Sequence, residues 1–293
     1  MLGKYVTDFV CLSEEATECV ADFEFLFVES TSNLPVIQYS SAMGLRPPQQ
    51  GMAVEKQFLP YLVQSGVVDE PMFVMRLRYN DSLNEDYTDE DRISEVEFGL
   101  PDDTSMFNMV YMPPNPQHWI LDVIQTNVFG GIDIEAVIFD SSIPYIYMPL
   151  EDIEIVKTWL GVPGCEIDNY VFSCPCTNDT VIDQYFPYLI IRVGAFDKQI
   201  QLTIHGNALF YFDGDEKCVS WIREKPALEN ARYWELGLPF YQSFDIFHDM
   251  KNNQMGFVPY NNSQVTQIFL SQKATLMFGS IAMMMGTLVA FVF

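Results

Sequence analysis

The sequence predicts an all-β protein, and three observations favour this class. Most apolar stretches are short and end at turn-forming residues, which is typical of strands. Only two stretches show the apolar spacing of a helix. The chain is 49% hydrophobic and 14% aromatic, which supplies a sizeable core and excludes a disordered or coiled-coil protein. Its 293 residues suffice for one large domain or two lobes.

The predicted elements follow one another from residue 23 onward. Strands are expected at residues 23–28, 73–77, 119–126, 136–139, 189–193 and 199–204. Helices are expected at residues 55–65, around Phe58, Leu59 and Leu62, and at residues 150–160. The acidic stretch 79–105 is expected to be a solvated loop.

The charge of the chain limits its partners. Forty acidic residues stand against fifteen basic ones, which gives a formal net charge of −25. Binding to a phosphate backbone needs a basic surface, so no nucleic-acid partner is expected. Three widely spaced histidines, His118, His205 and His248, do not predict a metal site, and no cofactor motif occurs. Such an acidic surface suits a low-pH or extracellular setting.

Cysteines and glycosylation sequons favour an oxidising, secretory route. The six cysteines are Cys11, Cys19, Cys165, Cys174, Cys176 and Cys218, and the sequons begin at Asn80, Asn178 and Asn261. No second pair accompanies the Cys174-Pro-Cys176 pair at zinc-finger spacing, so disulfides are preferred to metal. Plausible pairs join Cys11 to Cys19, and Cys218 to either Cys174 or Cys176.

The two ends of the chain suggest membrane attachment and a longer parent protein. Residues 274–293 are apolar and uncharged, and they follow small or polar residues at 261–263. This layout predicts a glycolipid-anchor signal, with a retained membrane helix or a buried core helix as alternatives. The first twenty residues lack the basic and apolar regions of a secretory signal. We therefore expect Met1 to be an internal methionine of a longer protein.

Asp140 is the candidate for acid–base chemistry. It ends the apolar run 136–139 and is followed by two hydroxyl residues, Ser141 and Ser142. A carboxylate in apolar surroundings needs hydrogen bonds or a change of ionisation, which makes Asp140 a candidate acid or base. The alternative is a turn aspartate that bonds the local backbone. Tyr145 and Tyr147 either line the same site or, as we prefer, pack in the core.

The segments around Asp140 carry further motifs in a fixed order. They are the tryptophan strand and Gly-Gly turn at 119–131, the Asp140 strand at 136–142, Phe186-Pro187 with its apolar run, the W-x-LG segment at 234–249 and the Met-Gly-Phe triplet at 255–257. This order resembles the second lobe of pepsin-like aspartic proteases. Residues 41–45, 58–73, Phe98-Gly99 and Asp102 resemble parts of the first lobe.

The resemblance, which covers about residues 3 to 260, implies a bilobed all-β fold. Residues 1–115 would form a partial first lobe, residues 116–260 a full second lobe, and residues 261–293 a spacer and hydrophobic tail. It also implies a peptide or protein ligand in the cleft between the lobes. The expected location is the secretory pathway, at a membrane or the cell surface, with an acidic vacuole or lysosome as the alternative.

The family mechanism needs two aspartates that share a proton and hold a water. Asp140 takes the second-lobe position, and Ser141 keeps a hydroxyl where the family has threonine. Ser142 replaces the family's glycine, and Ile143 replaces a hydroxyl whose loss costs about 1.5–3 kcal/mol of support for the ionised carboxylate. No first-lobe D-T-G-S string occurs. We therefore expect an aspartic endopeptidase family protein that is inactive as this chain. The alternative is a non-catalytic, membrane- or surface-anchored binding or structural protein.

Overall fold

The computed structural model describes residues 2–12, 19–30, 44–47, 51–78, 94–114, 116–128, 132–177, 188–195, 198–214, 216–225, 232–260 and 263–268. Within these residues eighteen strands accompany four short α-helices and one 3-10 helix. The predicted all-β class is therefore confirmed. The strands form a two-stranded hairpin, a five-stranded sheet and an eleven-stranded sheet.

The hairpin opens the chain. Strand β1 (Leu2–Cys11) pairs antiparallel with β2 (Cys19–Ser30), and the Cys11–Cys19 disulfide joins the two strands at one end of the pair. Phe23 on β2 packs edge-on against Phe58, with ring centroids 5.5 Å apart. This aromatic contact connects the hairpin to the main body.

The five-stranded sheet combines two distant parts of the chain. Its strands, in chain order, are β3 (Met72–Arg76), β4 (Glu95–Phe98), β5 (Asn108–Tyr111), β16 (Phe244–Asp249) and β17 (Gln254–Pro259). The order across the sheet is β4-β3-β16-β17-β5. The sheet thus joins segments on both sides of the boundary predicted at residue 115. Strand β4 also lies inside the stretch that was predicted to be a loop, and this prediction was wrong for residues 95–98.

The eleven-stranded sheet contains most of residues 119–268. Its strands are β6 (Trp119–Thr126), β7 (Ala136–Phe139), β8 (Ile146–Met148), β9 (Glu166–Asp168), β10 (Val171–Pro175), β11 (Leu189–Ala195), β12 (Lys198–Ile204), β13 (Phe210–Phe212), β14 (Lys217–Glu224), β15 (Tyr233–Leu236) and β18 (Gln264–Ile268). The order across the sheet is β18-β12-β11-β6-β7-β15-β8-β14-β10-β9, and β13 pairs with β14. Strand β18 extends this sheet beyond residue 260, where the sequence predicts a spacer.

Four short helices complete the fold. They are α1 (Phe58–Gln64), α2 (Leu150–Leu160), α3 (Gly206–Leu209) and α4 (Leu238–Tyr241). Helix α1 buries Phe58, Leu59 and Leu62, as the sequence predicts. Helix α2 has the predicted bounds and ends at Gly161, whose φ of 65° suits glycine.

One large hydrophobic cluster connects the sheets and helices. Its largest fully buried side chain is Trp234 of β15, whose indole Nε1 donates to Asp152 Oδ2 at 2.7 Å. Burial raises the pKa of Asp152, a shift that the indole hydrogen bond opposes. This hydrogen bond and the burial of Trp234 fix the position of β15 in the sheet.

All six cysteines form disulfides in the structure. The pairs are Cys11–Cys19, Cys165–Cys174 and Cys176–Cys218. The first pair confirms the prediction, and Cys176 is the partner of Cys218. Three disulfides indicate a secreted or extracellular protein.

Several predicted features lie outside the described residues. They are the sequons at Asn80, Asn178 and Asn261, the Gly130-Gly131 turn, Phe186-Pro187 and the apolar tail 274–293. None of the helices within the described ranges has the length and apolar character that a bilayer crossing requires.

Candidate functional site

The loop that carries Asp140 is held by a strand from much later in the chain. Strand β15 lies between β7 and β8, parallel to β7 and antiparallel to β8. The Asp140 amide donates to the Leu236 carbonyl at 3.1 Å, and the Leu238 amide donates to the Ile143 carbonyl at 2.9 Å. Both ends of the loop are therefore bonded to one continuous segment.

Gly237 allows this close approach. A Cβ atom at this position would lie 2.2 Å from the Tyr145 carbonyl oxygen and 2.4 Å from that of Ile143. Such distances are far shorter than any real contact, so only glycine fits between β15 and the loop. Packing against the Asp140 loop thus explains why the W-x-LG segment has glycine at position 237.

The carboxylate of Asp140 is bonded by the residue two positions later. The Ser142 amide donates to Asp140 Oδ1 at 2.9 Å, and the Ser142 hydroxyl donates to the same oxygen at 2.6 Å. The amide bond is the local backbone contact that the turn-aspartate alternative predicts, and the hydroxyl bond from Ser142 was not predicted. The available signal was the Asp-x-Ser spacing, which is typical of a local side-chain turn. Ser141 lies beside Asp140 in the same loop, and its supporting role stays a prediction.

Asp140 opens into a cavity of about 370 Å³ between the two larger sheets. The five-stranded sheet contributes side chains of β3 and β16, and the eleven-stranded sheet contributes β6 and β7. The lining residues are Gly44, Leu45, Arg46, Phe73, Met75, His118, Trp119, Phe139, Asp140, Ser141, Ser142, Tyr241 and His248. Trp119 is fixed in the wall by a hydrogen bond from its Nε1 to the Leu45 carbonyl at 2.7 Å. A volume of this size, lined by polar and apolar side chains in similar measure, suits a small ligand group.

Two buried polar side chains, His248 and Tyr241, form the inner wall. The His248 ring stacks on Phe73 with centroids 4.2 Å apart and meets Trp119 edge-on at 4.6 Å. Tyr241 Oη lies 3.5 Å from His248 Nε2. His248 Nδ1 makes no hydrogen bond of normal geometry within the described residues, although backbone groups of Phe73 and Ile246 lie close to the ring. In the sequence, a histidine in an apolar run is the only sign of this pair.

Burial controls the ionisation of this inner wall. It lowers the pKa of His248 to about 3, so the imidazole is neutral above that pH. Burial also raises the pKa of Tyr241, and the negative charge of Asp140 adds to that rise. The inner wall therefore offers neutral groups at any physiological pH.

One carboxylate faces the cavity among the residues that the structure describes. Asp140 is the sole aspartate or glutamate in the described lining. A shared-proton mechanism needs a second carboxylate within a few ångströms of the first. The described lining does not supply that second group.

The remaining candidates lie away from the cavity. Tyr145 and Tyr147 do not line it; their rings pack together at 6.0 Å, and the Arg223 guanidinium lies 4.6 Å from the Tyr145 ring centroid. Within the described part of the chain, no three His, Cys, Asp or Glu side chains are placed to hold a metal ion.

Comparisons with known proteins do not assign the chain. No protein-family model matches it, and no curated protein matches it.

Proposed function

We propose that this chain is a non-catalytic member of the pepsin-like aspartic protease family, with a bilobed fold, that binds peptides in the Asp140 cavity. The observation that carries the proposal is the single carboxylate in the described lining of that cavity. Hydrolysis by two aspartates and a water requires a facing pair. Binding requires only the cavity and its polar groups.

The distribution of the resembling segments supports the family assignment. Stretches 41–45, 58–73, 119–131, 136–142 and 234–249 are separate segments of the chain, yet each contributes a described residue to this one cavity. The Asp140 strand and the W-x-LG strand also lie side by side as β7 and β15. Motifs that meet at one site are what a shared ancestral site would produce.

A second candidate is an aspartic endopeptidase that acts at acidic pH. Two features of the Asp140 carboxylate favour it: Ser142 orients the carboxylate, and the carboxylate faces a ligand-sized cavity. A second aspartate from residues outside the described ranges, or from another chain, would have to complete the pair.

We place the protein in the secretory pathway, at a membrane or cell surface, because of its three disulfides and the apolar tail at 274–293. The tail would act as a glycolipid-anchor signal or as a membrane helix. Intact cells can be treated with a phospholipase that cleaves glycolipid anchors. This treatment distinguishes an anchor from a membrane helix, since only a protein held by a glycolipid anchor is released.

Cleavage of a mixed fluorogenic peptide library between about pH 3 and pH 7 tests the function. We expect no hydrolysis above that of the Asp140→Asn variant, together with measurable peptide binding to the wild-type chain. Pepstatin-sensitive cleavage below about pH 5 that Asp140→Asn abolishes would establish the endopeptidase instead. Asp122→Asn is the matched control, because Asp122 is exposed on β6 and does not line the cavity.

A further inference from the structure

The carboxylate of Asp140 has an open acceptor oxygen. Both donors of Ser142 go to Oδ1, and Oδ2 accepts no hydrogen bond from the described residues. The negative charge also acts inside the cavity, because it contributes to the raised pKa of the buried Tyr241. The free oxygen and the charge are therefore available to a ligand.

No cation of the described cavity wall neutralises this charge. His248 stays neutral because burial depresses its pKa. Arg46 and His118 lie on the exposed part of the lining, and no ion pair joins either of them to Asp140 in the described structure. A half-buried carboxylate without an ionic partner is a favourable site for an incoming cation.

Aromatic rings surround the same space. Phe73, Trp119 and Phe139 are all buried and all line the cavity, and the stacked His248 ring covers one face of Phe73. The faces of such rings attract ammonium and guanidinium groups, and the attraction grows where water is excluded. The net charge of −25 favours the approach of cations over that of anions.

We propose that the Asp140 cavity selects a cationic group, the side chain of a lysine or arginine in a bound peptide. The inference rests on the proposed peptide-binding function and names the ligand class. The ammonium or guanidinium group donates to Asp140 Oδ2, and its methylene stem packs along the aromatic wall.

Small probes test the charge preference without any peptide contact. Benzylammonium and benzyl alcohol have nearly the same size and differ in charge, so calorimetric titration of the full chain compares them directly. We expect benzylammonium to bind at least about tenfold more tightly. Equal affinities would overturn the inference, and so would tighter binding of benzoate, which would indicate an anion site at Arg46.

Two variants that each remove one negative charge distinguish the effect of Asp140 on cation binding from the effect of the net charge. Asp140→Asn keeps the size of the side chain, and we expect it to abolish the preference for the cation. Asp122→Asn should preserve the preference, because this exposed side chain lies outside the cavity. An equal loss in both variants would assign the preference to net charge and contradict a local site. The wild-type probe comparison remains decisive if Asp140→Asn does not fold.

Three peptides that differ at one position separate this inference from the proposed function. The position carries lysine, norleucine or glutamate in an otherwise identical alanine-rich sequence. We expect the lysine peptide to bind most tightly. Equal binding of all three would contradict the cation site and leave peptide binding intact. Binding of benzylammonium but of none of the peptides would retain the cation site and reject peptide binding.

Discussion

His248 is fully buried between aromatic rings, and its ionisation differs strongly between the folded and the unfolded chain. Its pKa falls from 6.5 to about 3 because burial disfavours the charged imidazolium. Below pH 6.5 the unfolded chain therefore takes up a proton that the folded chain does not bind. The stability that neutral His248 provides is complete above pH 6.5 and is lost as the pH falls toward 3.

Replacement of His248 tests its contribution to the pH dependence of stability. The variant His248→Phe keeps an aromatic ring next to Phe73 and removes the titrating group. Between pH 6.5 and pH 4 we expect the wild type to lose up to about 1.4 kcal/mol more stability per pH unit than the variant. Urea unfolding at several pH values measures the difference. His118→Phe, at an exposed histidine, is the control, and the same pH effect in both variants would contradict the assignment.

At the residue level, the structure places Asp140 in the wall of a cavity, and its role as an acid or base stays a prediction. An apolar strand that ends in an aspartate and two serines is visible in the sequence. The pairing of Tyr241 with His248 is not visible, because it depends on α4 and β16 meeting at the cavity. The donor role of Ser142 depends on the turn geometry of a single loop.

At the level of elements, β15 determines the shape of the site. It fills the gap between β7 and β8 and bonds both ends of the Asp140 loop. The close contact at Gly237 leaves no room for any side chain. Small changes at this glycine should therefore displace the loop.

The variant Gly237→Ala provides the test. Because the added Cβ would meet two backbone oxygens, we expect a loss of about 2 kcal/mol or more in the free energy of unfolding. Gly44→Ala is the matched control, since a Cβ on Gly44 meets no atom within 4 Å. Comparable denaturation midpoints for the two variants would show that the loop adapts to the methyl group.

Strands with strong apolar runs could be predicted from the sequence, and strands with mixed composition could not. Strands β6 and β7 have the predicted bounds, and β11 and β12 differ by two residues or fewer. Strand β4 was missed because its glutamates suggest a solvated loop. In the fold, Glu95 and Glu97 bind Arg76 on the neighbouring strand β3, at 2.8 Å each, a partner that local sequence cannot reveal.

On the scale of the whole molecule, distant segments are held together by packing and by disulfides. The Cys176–Cys218 bond joins residues 42 positions apart, whereas Cys11–Cys19 spans only 8 positions. A longer closed loop removes more conformational freedom from the unfolded chain. The two bonds should therefore differ in their contribution to stability.

Paired serine substitutions measure this difference. We expect removal of Cys176–Cys218 to cost about 4 kcal/mol and removal of Cys11–Cys19 about 2.5 kcal/mol, from loop closure alone. Thermal and urea unfolding of the two double variants gives both values. A larger loss from the hairpin bond would show that local strain or packing, and not loop length, decides the contribution.

The order in which the molecule assembles follows from the position of β15. Strands β7 and β8 leave the ribosome about a hundred residues before the strand that separates them. Until then the gap stays open, and the nascent chain exposes unpaired strand edges. A ligand cannot guide these early steps, because its cavity does not yet exist. A ligand can stabilise only the folded protein, by opposing the unfolding that would separate β15 from the sheet.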